Sequence, residues 1–369
     1  MGSYSLFALL LAAAGLFPFT SGSSTYHGKK KECHPFNKPG NMTLHQYQLY
    51  PETAAWDTNR CVAYFCALFN GSIAEYNPYT TKFTVIPFPG ITHAPDQHAS
   101  GIDYNPSTGL LHIVIDSQRP FLTEGADVSG DNWLIRYNPS TRTEIWRANL
   151  TSVTNGLWGG FQDVALDSKG NAYVIGTYPK SVLKVSNSGT ISVWYPPQTT
   201  NTKVRGYTGA ASLYGQDAMV VVDNEGVPES ELVGNSNIYR FDLTKPTGIP
   251  IKIPRFPNTQ FGPGDKIHFP PAYKQTVALI ADDYRGTIVL RSKDGKWKEA
   301  EHLGLIPNDY PIFFERITPS TVQLGPKRQY LIGNNFPGPI VPGTTGGNHS
   351  DFPLFDITRE VERLLKKKP

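Results

Sequence analysis

The sequence is poor in cysteine, in net charge and in long apolar segments. It has three cysteines in 369 residues, and its 34 basic residues are nearly balanced by 31 acidic ones. This balance argues against the strongly basic surface typical of nucleic-acid binding, so no nucleic-acid partner is expected. Beyond residue 22 no apolar run is long enough to span a bilayer, and we expect no stable membrane insertion. The sequence indicates no particular oligomeric state.

The most apolar segment lies at the N-terminus. The run from Leu6 to Phe17 is too short to cross a bilayer and is followed by small residues, a pattern typical of a secretory signal peptide at residues 1–22. We therefore predict entry into the secretory pathway, with secretion or residence in vesicles. Four N-glycosylation sequons agree with export. They are at Asn41, Asn70, Asn149 and Asn348.

The three cysteines predict one disulfide. Cys61 and Cys66 are five residues apart in CVAYFC. On a strand they would project from opposite faces, about 16 Å apart, which is beyond bonding range. Cys33 therefore pairs with one or the other and pins an N-terminal arm, residues 23–42, to the body of the protein. The remaining thiol is expected in the core.

The chain repeats one strand-turn-strand pattern. Six hairpin segments begin at residues 54, 101, 163, 210, 267 and 316, and each is followed by a second strand-turn-strand unit. Two of these second units, EYNPYTTKFTVI and RYNPSTRTEIW, share a Tyr-Asn-Pro turn. Two hairpins in each period of roughly 48 to 64 residues predict an all-β fold. We expect a six-bladed β-propeller of four-stranded antiparallel blades over residues 43–369.

The last repeat lacks a clear fourth strand. The segment TLHQYQLYP, residues 43–51, is expected to complete the sixth blade as its outermost strand. Residues 358–368 can instead form a short amphipathic helix with Val361, Leu364 and Leu365 on one side.

The connections between the predicted strands differ on the two faces of the ring. One face has short turns, such as TNR and NSG, whereas the other carries long loops at residues 116–132, 223–237 and 334–352. Long loops on a rigid scaffold commonly carry function. We expect the binding pocket at the mouth of the central channel on this face.

Polar side chains lie at the ends of strands that point toward the channel. Carboxylates, amides and an imidazole in such a ring can transfer protons or hold a cation. The innermost strands contribute Glu52, His98, Asp163, Asp265 and Lys266, and the neighbouring strand ends contribute Asp116, Tyr178, Asp283 and Arg285.

Aromatic residues on the same loops predict a largely apolar pocket for a small apolar molecule. The residues that we expect to contact it are Trp158, Phe161, Tyr207 and Phe314.

Motifs of several enzyme classes are missing. The sequence has no G-x-S-x-G, P-loop or G-x-G-x-x-G pattern, which argues against a serine hydrolase and a nucleotide-dependent enzyme. His93, Asp96 and His98 lie close together, but their spacing does not match H-E-x-x-H and no cysteine pair supports zinc.

The segment YPETAAWD resembles the opening of the first blade in the gluconolactonase and senescence-marker propellers. There the glutamate at the position of Glu52 binds a divalent metal, and Asp265 roughly matches a second ligand. The two asparagine ligands of that family fall near Gln162 and near Thr208 to Ala210 here. The resemblance implies a metal-dependent lactonase as one alternative, with Ca²⁺ or another divalent cation held by Glu52 and Asp265.

Over residues 45–360, the Pro-rich loops and Tyr-Asn-Pro turns, together with the signal peptide, are more similar to fungal propellers of terpenoid gene clusters. That group includes the trichothecene-cluster protein fourteen family and the hetero-Diels-Alderases of tropolonic sesquiterpene pathways. The resemblance implies a cofactor-free cyclase that joins a quinone methide, derived from a tropolone or phenol, to a sesquiterpene alkene.

For such chemistry we expect proton transfer by His98 together with Asp163 or Glu52. Oxygen atoms of the substrate would be oriented by Tyr178, Asp283 and Arg285. A trichothecene-type ring-closing or accessory protein, the metal-dependent lactonase and a non-catalytic binding propeller are the alternatives.

Overall fold

Six β-sheets are arranged as blades around a central axis in the computed structural model. It describes residues 33–35, 40–226, 236–259, 262–308, 316–335 and 338–366. The predicted signal peptide and most of the predicted arm lie outside these ranges. In chain order the strands are β1 (Met42–His45), β2 (Pro51–Asp57), β3 (Val62–Ala67), β4 (Ser72–Asn77), β5 (Lys82–Ile86), β6 (Gln97–Asn105), β7 (Leu110–Ser117), β8 (Trp133–Asn138), β9 (Thr143–Asn149), β10 (Gly159–Leu166), β11 (Ala172–Tyr178), β12 (Ser181–Val185), β13 (Ile191–Tyr195), β14 (Tyr207–Leu213), β15 (Ala218–Asp223), β16 (Asn237–Asp242), β17 (Ile251–Lys252), β18 (Arg255–Phe256), β19 (Gly264–His268), β20 (Val277–Asp282), β21 (Gly286–Arg291), β22 (Ala300–Pro307), β23 (Arg316–Leu324), β24 (Arg328–Asn335) and β25 (Asp351–Asp356).

The sheets confirm the six-bladed propeller that the repeats predict. Blades one to four are the meanders β2–β5, β6–β9, β10–β13 and β14–β17, and blade five contains β19–β22. Blade six is formed by β23, β24, β25 and, on its outer edge, β1. The N-terminal strand, Met42–His45, thus pairs with the last strand of the chain and closes the ring, with Leu44 opposite Phe352.

Blade five has five strands, where the sequence predicted four in every blade. The additional strand, β18, pairs in parallel with the outer strand β22, with Arg255 opposite Ala300. The reason is that β17 ends after two residues, so the chain then follows the edge of the next blade before it turns to the centre. A backbone hydrogen bond from Ala300 N to Pro254 O, 2.9 Å long, fixes this edge.

The described helices are short and lie outside the blades. They are α1 (Arg119–Leu122), α2 (Thr151–Thr154) and α3 (Thr358–Leu365), with 3₁₀ turns at Leu68–Asn70 and Pro271–Tyr273. The amphipathic helix that the sequence allowed near the C-terminus is therefore present as α3. It buries Val361 and Leu364 between blades five and six, with Leu365 packed against the same cluster.

The hydrophobic core is divided among the six interfaces between adjacent blades. Strand β3 shows how: Ala63 and Phe65 pack toward blade six, whereas Val62, Tyr64 and Cys66 pack toward blade two. Because both faces of a blade are covered, its inner strands are apolar at successive positions instead of alternating with polar residues. Burial of this kind contributes about 25 cal/mol for each Å² of apolar surface removed from water.

Cys33 forms the disulfide with Cys61, which resolves the pairing that the sequence left open. Cys66 is the buried free thiol, and burial raises its pKa well above the ordinary value. Disulfides persist in oxidising compartments, so the bond agrees with a secreted protein. Among the described residues, no helix has the length and apolar character needed to cross a membrane.

Replacing both bridged cysteines, Cys33→Ser with Cys61→Ser, is expected to lower the free energy of unfolding by about 3 kcal/mol, because the unfolded chain loses a constraint. The bond joins residues 28 positions apart. Urea denaturation followed by tryptophan fluorescence measures the change. Reductant should remove the difference between the wild type and the double variant. Equal stability of the two proteins without reductant would contradict the prediction.

Candidate functional site

Each innermost strand carries a β-bulge at the same level of the channel. The pairing between the innermost strand and its neighbour slips by one residue once in every blade. A bulge redirects the side chain of the extra residue, and here it turns polar side chains toward the axis. The residues in the six bulges are Glu52–Thr53, Ser100, Gln162, Thr208, Asp265–Lys266 and Thr318–Pro319.

Glycine follows two of these bulges because neighbouring backbones approach closely there. A Cβ atom on Gly209 would lie 2.3 Å from the carbonyl oxygen of Asp265 in the next blade. A Cβ atom on Gly101 would lie 2.7 Å from the Cα atom of Asp163. The bulges of adjacent blades therefore touch through backbone atoms, which requires residues without a side chain.

Lys266 is a buried cation that connects three blades. From blade five its ammonium donates to the backbone oxygen of Gln162 at 2.9 Å and to that of Thr208 at 3.4 Å. The Gln162 amide donates in return to Oδ1 of Asp265 at 3.4 Å. Burial opposes the charge on Lys266, but the carboxyl groups around it raise its pKa overall. The ammonium is thus both a structural tie and the counter-charge of an acidic cluster.

Three carboxyl groups of this cluster have different protonation states near neutral pH. Burial and, to a smaller extent, the Asp265 carboxyl raise the pKa of Glu52 to about 8, while Lys266 opposes the shift. Burial raises the pKa of Asp116 to about 8, opposed by the nearby Ser100 hydroxyl and by Lys266. Burial raises the pKa of Asp163 to about 6, again against the effect of Lys266. At pH 7 the first two are therefore mainly protonated and Asp163 is mainly ionised.

The same three groups differ in their hydrogen bonds. Asp163 accepts from the Val164 amide at 2.9 Å and from the Ala210 amide of blade four at 3.0 Å, so its carboxylate ties two blades together. By contrast, Oε2 of Glu52 is buried and has no hydrogen-bond partner among the described residues, whereas hydrogen bonding by the Ser100 hydroxyl and its own backbone amide lowers the pKa of Asp116 without overcoming the effect of burial. Buried polar atoms without a partner are rare, which makes Glu52 the carboxyl group of the three that is best placed to accept a ligand as its partner.

His98 is available as a proton acceptor at neutral pH. Burial lowers the pKa of His98 to about 4, against a hydrogen bond with the Gln118 side chain that raises it. Its Nε2 atom is buried without a partner in the described part of the chain. The ring meets that of Phe69 edge-on, with 5.2 Å between centroids. His98 lies two residues closer to the loop face than the bulge at Ser100, on the blade next to that of Glu52.

The groups expected to orient substrate oxygens are placed differently from one another. Burial, with the Asp265 and Glu52 carboxyls, raises the pKa of Asp283 well above its usual range. Asp283 thus belongs to the acidic cluster. Arg285 is held by Asp282, with 2.7 Å between Nη2 and Oδ2, and stabilises the turn at the end of β20. Tyr178 is buried, with its ring edge-on to Phe121 at a centroid distance of 5.7 Å.

The aromatic residues predicted to contact the substrate lie mainly in the core. Phe161 is 0% exposed and packs between blades two and three, and Tyr207 is 1% exposed and packs between blades three and four. These positions favour packing over substrate contact. Trp158 is half-buried at the edge of the core below the loop face, and its Nε1 atom has no partner among the described residues. Phe314 lies outside the described residues.

The residues present do not fit the divalent-cation site implied by the lactonase resemblance. No group of three or more His, Cys, Asp or Glu side chains in the described ranges is arranged to hold a metal ion. The Lys266 ammonium supplies positive charge close to Glu52 and Asp265. At the two asparagine positions of that family, the Thr208 hydroxyl donates to Gly264 O at 2.7 Å and Gln162 donates to Asp265.

A second polar cluster, which the sequence analysis missed, joins three blades at the opposite end of the channel. Asp103 of blade two accepts from the hydroxyls of Ser212 and Tyr214 in blade four, each at 2.7 Å. The Leu166 amide of blade three donates to the same Ser212 oxygen at 2.7 Å. Side chains alternate between the two faces of a strand, so Asp103 lies on the same side of β6 as Gly101. This alternation is the sequence signal that could have identified Asp103.

The four sequons differ in accessibility. Asn41 and Asn348 are exposed. The Asn70 amide donates to Gln48 O at 3.1 Å, and the Asn149 carbonyl accepts from Thr151 N at 3.0 Å. Glycosylation stays a prediction at all four positions, and the exposed pair suits it best.

Comparisons with known proteins identify relatives over nearly the whole chain. The chain is 32% identical over 357 residues to core trichothecene cluster (CTC) protein 14 of Fusarium sporotrichioides, covering 92% of this chain and 90% of the relative. It is 31% identical to trichothecene biosynthesis protein 14 of Trichoderma arundinaceum, covering 88% and 90%. The major Malassezia sympodialis allergen Mala s 1 is similar in structure, with a TM-score of 0.67 at 20% identity over 86% of this chain and 96% of that one, which shows the fold alone. No protein-family model matches.

Replacing Gly209 with alanine is expected to lower the free energy of unfolding by about 1–3 kcal/mol, because the new methyl group overlaps the backbone of blade five. Gly338→Ala is the matched control, since its Cβ atom would lie 3.6 Å from the nearest atom, an ordinary contact. Thermal unfolding followed by circular dichroism measures both variants. Equal melting temperatures for the two would show that the bulges do not touch as described.

Asp116→Asn is expected to stabilise the protein at pH 8 but not at pH 4. The folded state holds the Asp116 proton up to its raised pKa of about 8, whereas the unfolded chain releases it near the ordinary value. Stability of the wild type therefore falls as pH rises between these values, and asparagine removes that loss, a gain on the order of a few kcal/mol. Urea denaturation at both pH values measures it. The exposed Glu299→Gln is the control, and a pH-independent effect of Asp116→Asn would refute the assignment.

Proposed function

Since the chain belongs to the trichothecene cluster protein 14 family, we propose that it is an enzyme of terpenoid secondary metabolism that uses buried carboxyl groups at the propeller axis as acids. Membership makes it a propeller protein of a secondary-metabolism cluster family. The observation that carries the proposal is the Glu52 carboxyl, which is buried, protonated near neutral pH and without a partner on Oε2 in the described residues. A buried acid in this state can donate a proton to a bound substrate.

The reaction that we propose is a hetero-Diels-Alder cyclisation with no cofactor. Glu52 donates its proton to the hydroxyl of a hydroxymethyl group on a tropolone or phenol, the C–O bond breaks and water leaves. The imidazole of His98 takes the proton of the ring hydroxyl, which gives a neutral quinone methide. This electrophile adds to a sesquiterpene alkene and forms one C–O and one C–C bond, with no net oxidation or reduction. Proton transfer from His98 to Glu52 restores both groups.

The rest of the site supports such a reaction through position and burial. Holding two reactants in contact is worth roughly 7–11 kcal/mol of the barrier for an addition of this kind. A water-poor site also protects the quinone methide from hydrolysis. Lys266 limits the charge that builds up when Glu52 gives away its proton, because its ammonium lies close to that carboxyl.

A second candidate reaction is ring closure of a trichothecene-type terpenoid. The name of one relative refers to a trichothecene cluster and that of the other to trichothecene biosynthesis, which favours it. It would use the same acid, since protonation of a hydroxyl group and loss of water open the way for an internal oxygen to attack. Products distinguish the two reactions: the first combines two molecules, and the second isomerises or dehydrates one. A metal-dependent lactonase is the weaker alternative, because the donor set does not fit a divalent cation.

Glu52→Gln is expected to slow formation of the adduct from a hydroxymethyl phenol and humulene by roughly 100-fold, because glutamine cannot donate the proton. The wild-type rate should fall as pH rises through about 8, where Glu52 loses its proton. Liquid chromatography with mass detection measures the adduct.

Glu299→Gln, an exposed exchange of the same kind, should leave the rate unchanged. A chelator should have no effect. Full activity of Glu52→Gln would refute the role of this residue, and loss of activity with chelator would favour the lactonase alternative.

A further inference from the structure

Gln118 directly follows β7 at the start of a long loop of blade two. The proposed reaction gives it no role, although its side chain is hydrogen-bonded to His98. In the pairing of β6 with β7, His98 lies opposite Asp116. Gln118 comes two residues later, at a diagonal distance that a long side chain can bridge. Gln118 can therefore act on the His98 ring from the loop face.

Gln118 is held by two hydrogen bonds to the segment that precedes β6. Its backbone amide donates to Asp96 O at 3.0 Å, and its side-chain Nε2 donates to Pro95 O at 2.8 Å. The next residue, Arg119, pairs with the Asp96 side chain, with 2.6 Å between Nη2 and Oδ2. These contacts fix the start of the loop against the strand that carries His98.

The contact with Pro95 determines which end of the Gln118 amide faces His98. A carbonyl oxygen can only accept a hydrogen bond, so the group beside Pro95 O is the amide NH₂. The Oε1 atom of Gln118 is left for His98, and this oxygen accepts from a ring N–H. Against the larger effect of burial, the bond raises the pKa of His98, as expected when an acceptor stabilises the charged ring.

The two ring nitrogens of His98 are therefore not equivalent. Nε2 is buried without a partner in the described chain, so the nitrogen that donates to Gln118 is Nδ1. Because burial lowers the pKa of His98 to about 4, the ring is neutral at pH 7 and carries one proton. The ring of Phe69 meets it edge-on and limits its rotation. With the proton on Nδ1, the lone pair is on Nε2.

We propose that Gln118 is a positioning residue, which holds the ring proton of His98 on Nδ1 and so presents the lone pair of Nε2 as the proton acceptor. Without this hydrogen bond the proton can move to Nε2, which would then be a donor and could not accept. Catalytic histidines are commonly set in this way by a partner on the second nitrogen. That His98 accepts a proton from a substrate rests on the proposed function, whereas the tautomer does not.

The ¹⁵N chemical shifts of the imidazole ring test the tautomer in the full chain labelled with ¹⁵N-histidine. Long-range ¹H–¹⁵N correlation spectra at pH 7 should show a protonated Nδ1 and an unprotonated Nε2, and His98→Phe identifies these signals by their loss. In Gln118→Met the ratio of tautomers should shift toward Nε2–H about tenfold, the usual effect of losing one hydrogen bond. Gln118→Glu keeps an acceptor oxygen and should retain the proton on Nδ1.

Gln198→Met is the matched control. Gln198 also donates from Nε2 to a proline carbonyl, Pro196 O, at 2.8 Å, but it lies on an exposed loop. This variant should leave the His98 signals unchanged. A protonated Nε2 in the wild type would overturn the proposal without reference to any variant. Identical His98 signals in the wild type and Gln118→Met would overturn it as well.

The adduct assay separates this inference from the proposed function. Gln118→Met should lower kcat about tenfold with little change in KM, because the lost bond acts on the proton acceptor and not on substrate binding. An unchanged kcat in this variant would refute the positioning role. If the spectra show the expected tautomers but the wild type forms no adduct, the proposed reaction fails and the assignment of the tautomer to Gln118 stands.

Discussion

Burial of both faces of every blade is the constraint on which the rest of this structure depends. Each blade packs against two neighbours, and the described core is divided among six interfaces that are each shared by two sheets. An open row of such blades would leave one apolar face uncovered at each end. Pairing β1 with β25 closes the ring and removes both ends. With the faces filled mainly by apolar residues, two polar clusters form in the channel, one at the level where the bulges interrupt the strands and one around Asp103 at the opposite end.

That placement determines the chemistry of the axis. Several carboxyl groups converge on a region with one buried ammonium, Lys266, so they cannot all be ionised there. The structure divides them by hydrogen bonding. Asp163 keeps its charge because two backbone amides point at it, whereas burial dominates at Glu52 and Asp116, which hold their protons. Acidic groups that are protonated at neutral pH are therefore a consequence of how the blades pack.

The number of blades was predictable from the sequence, but the side-chain directions at the axis were not. Tight turns and a regular period identify hairpins without any tertiary information, and the turn at Asn138–Pro139 is an example. A β-bulge has no comparable signature in the sequence. Its one extra residue nevertheless reverses the face of the sheet on which every preceding side chain of the strand lies. Phe161 and Tyr207 directly precede the bulge residues Gln162 and Thr208. Both side chains lie in the core. Glu52 is itself in a bulge, where burial and the Asp265 carboxyl raise its pKa.

The sequence can indicate which polar residues are directed toward the axis, but not which of them are available to a substrate. Being directed toward the axis is a property of strand position, which a sequence can indicate. Being available to a substrate depends on whether a neighbouring blade has already supplied a hydrogen-bond partner, and that is decided by contacts between residues far apart in the chain. Asp163 and Ala210 are 47 positions apart, and Lys266 and Gln162 are 104 apart. Both ties involve backbone atoms, which every residue possesses, so no residue type marks them in advance. A closed ring of blades thus separates the polar residues that hold the axis together from those that can act on a ligand.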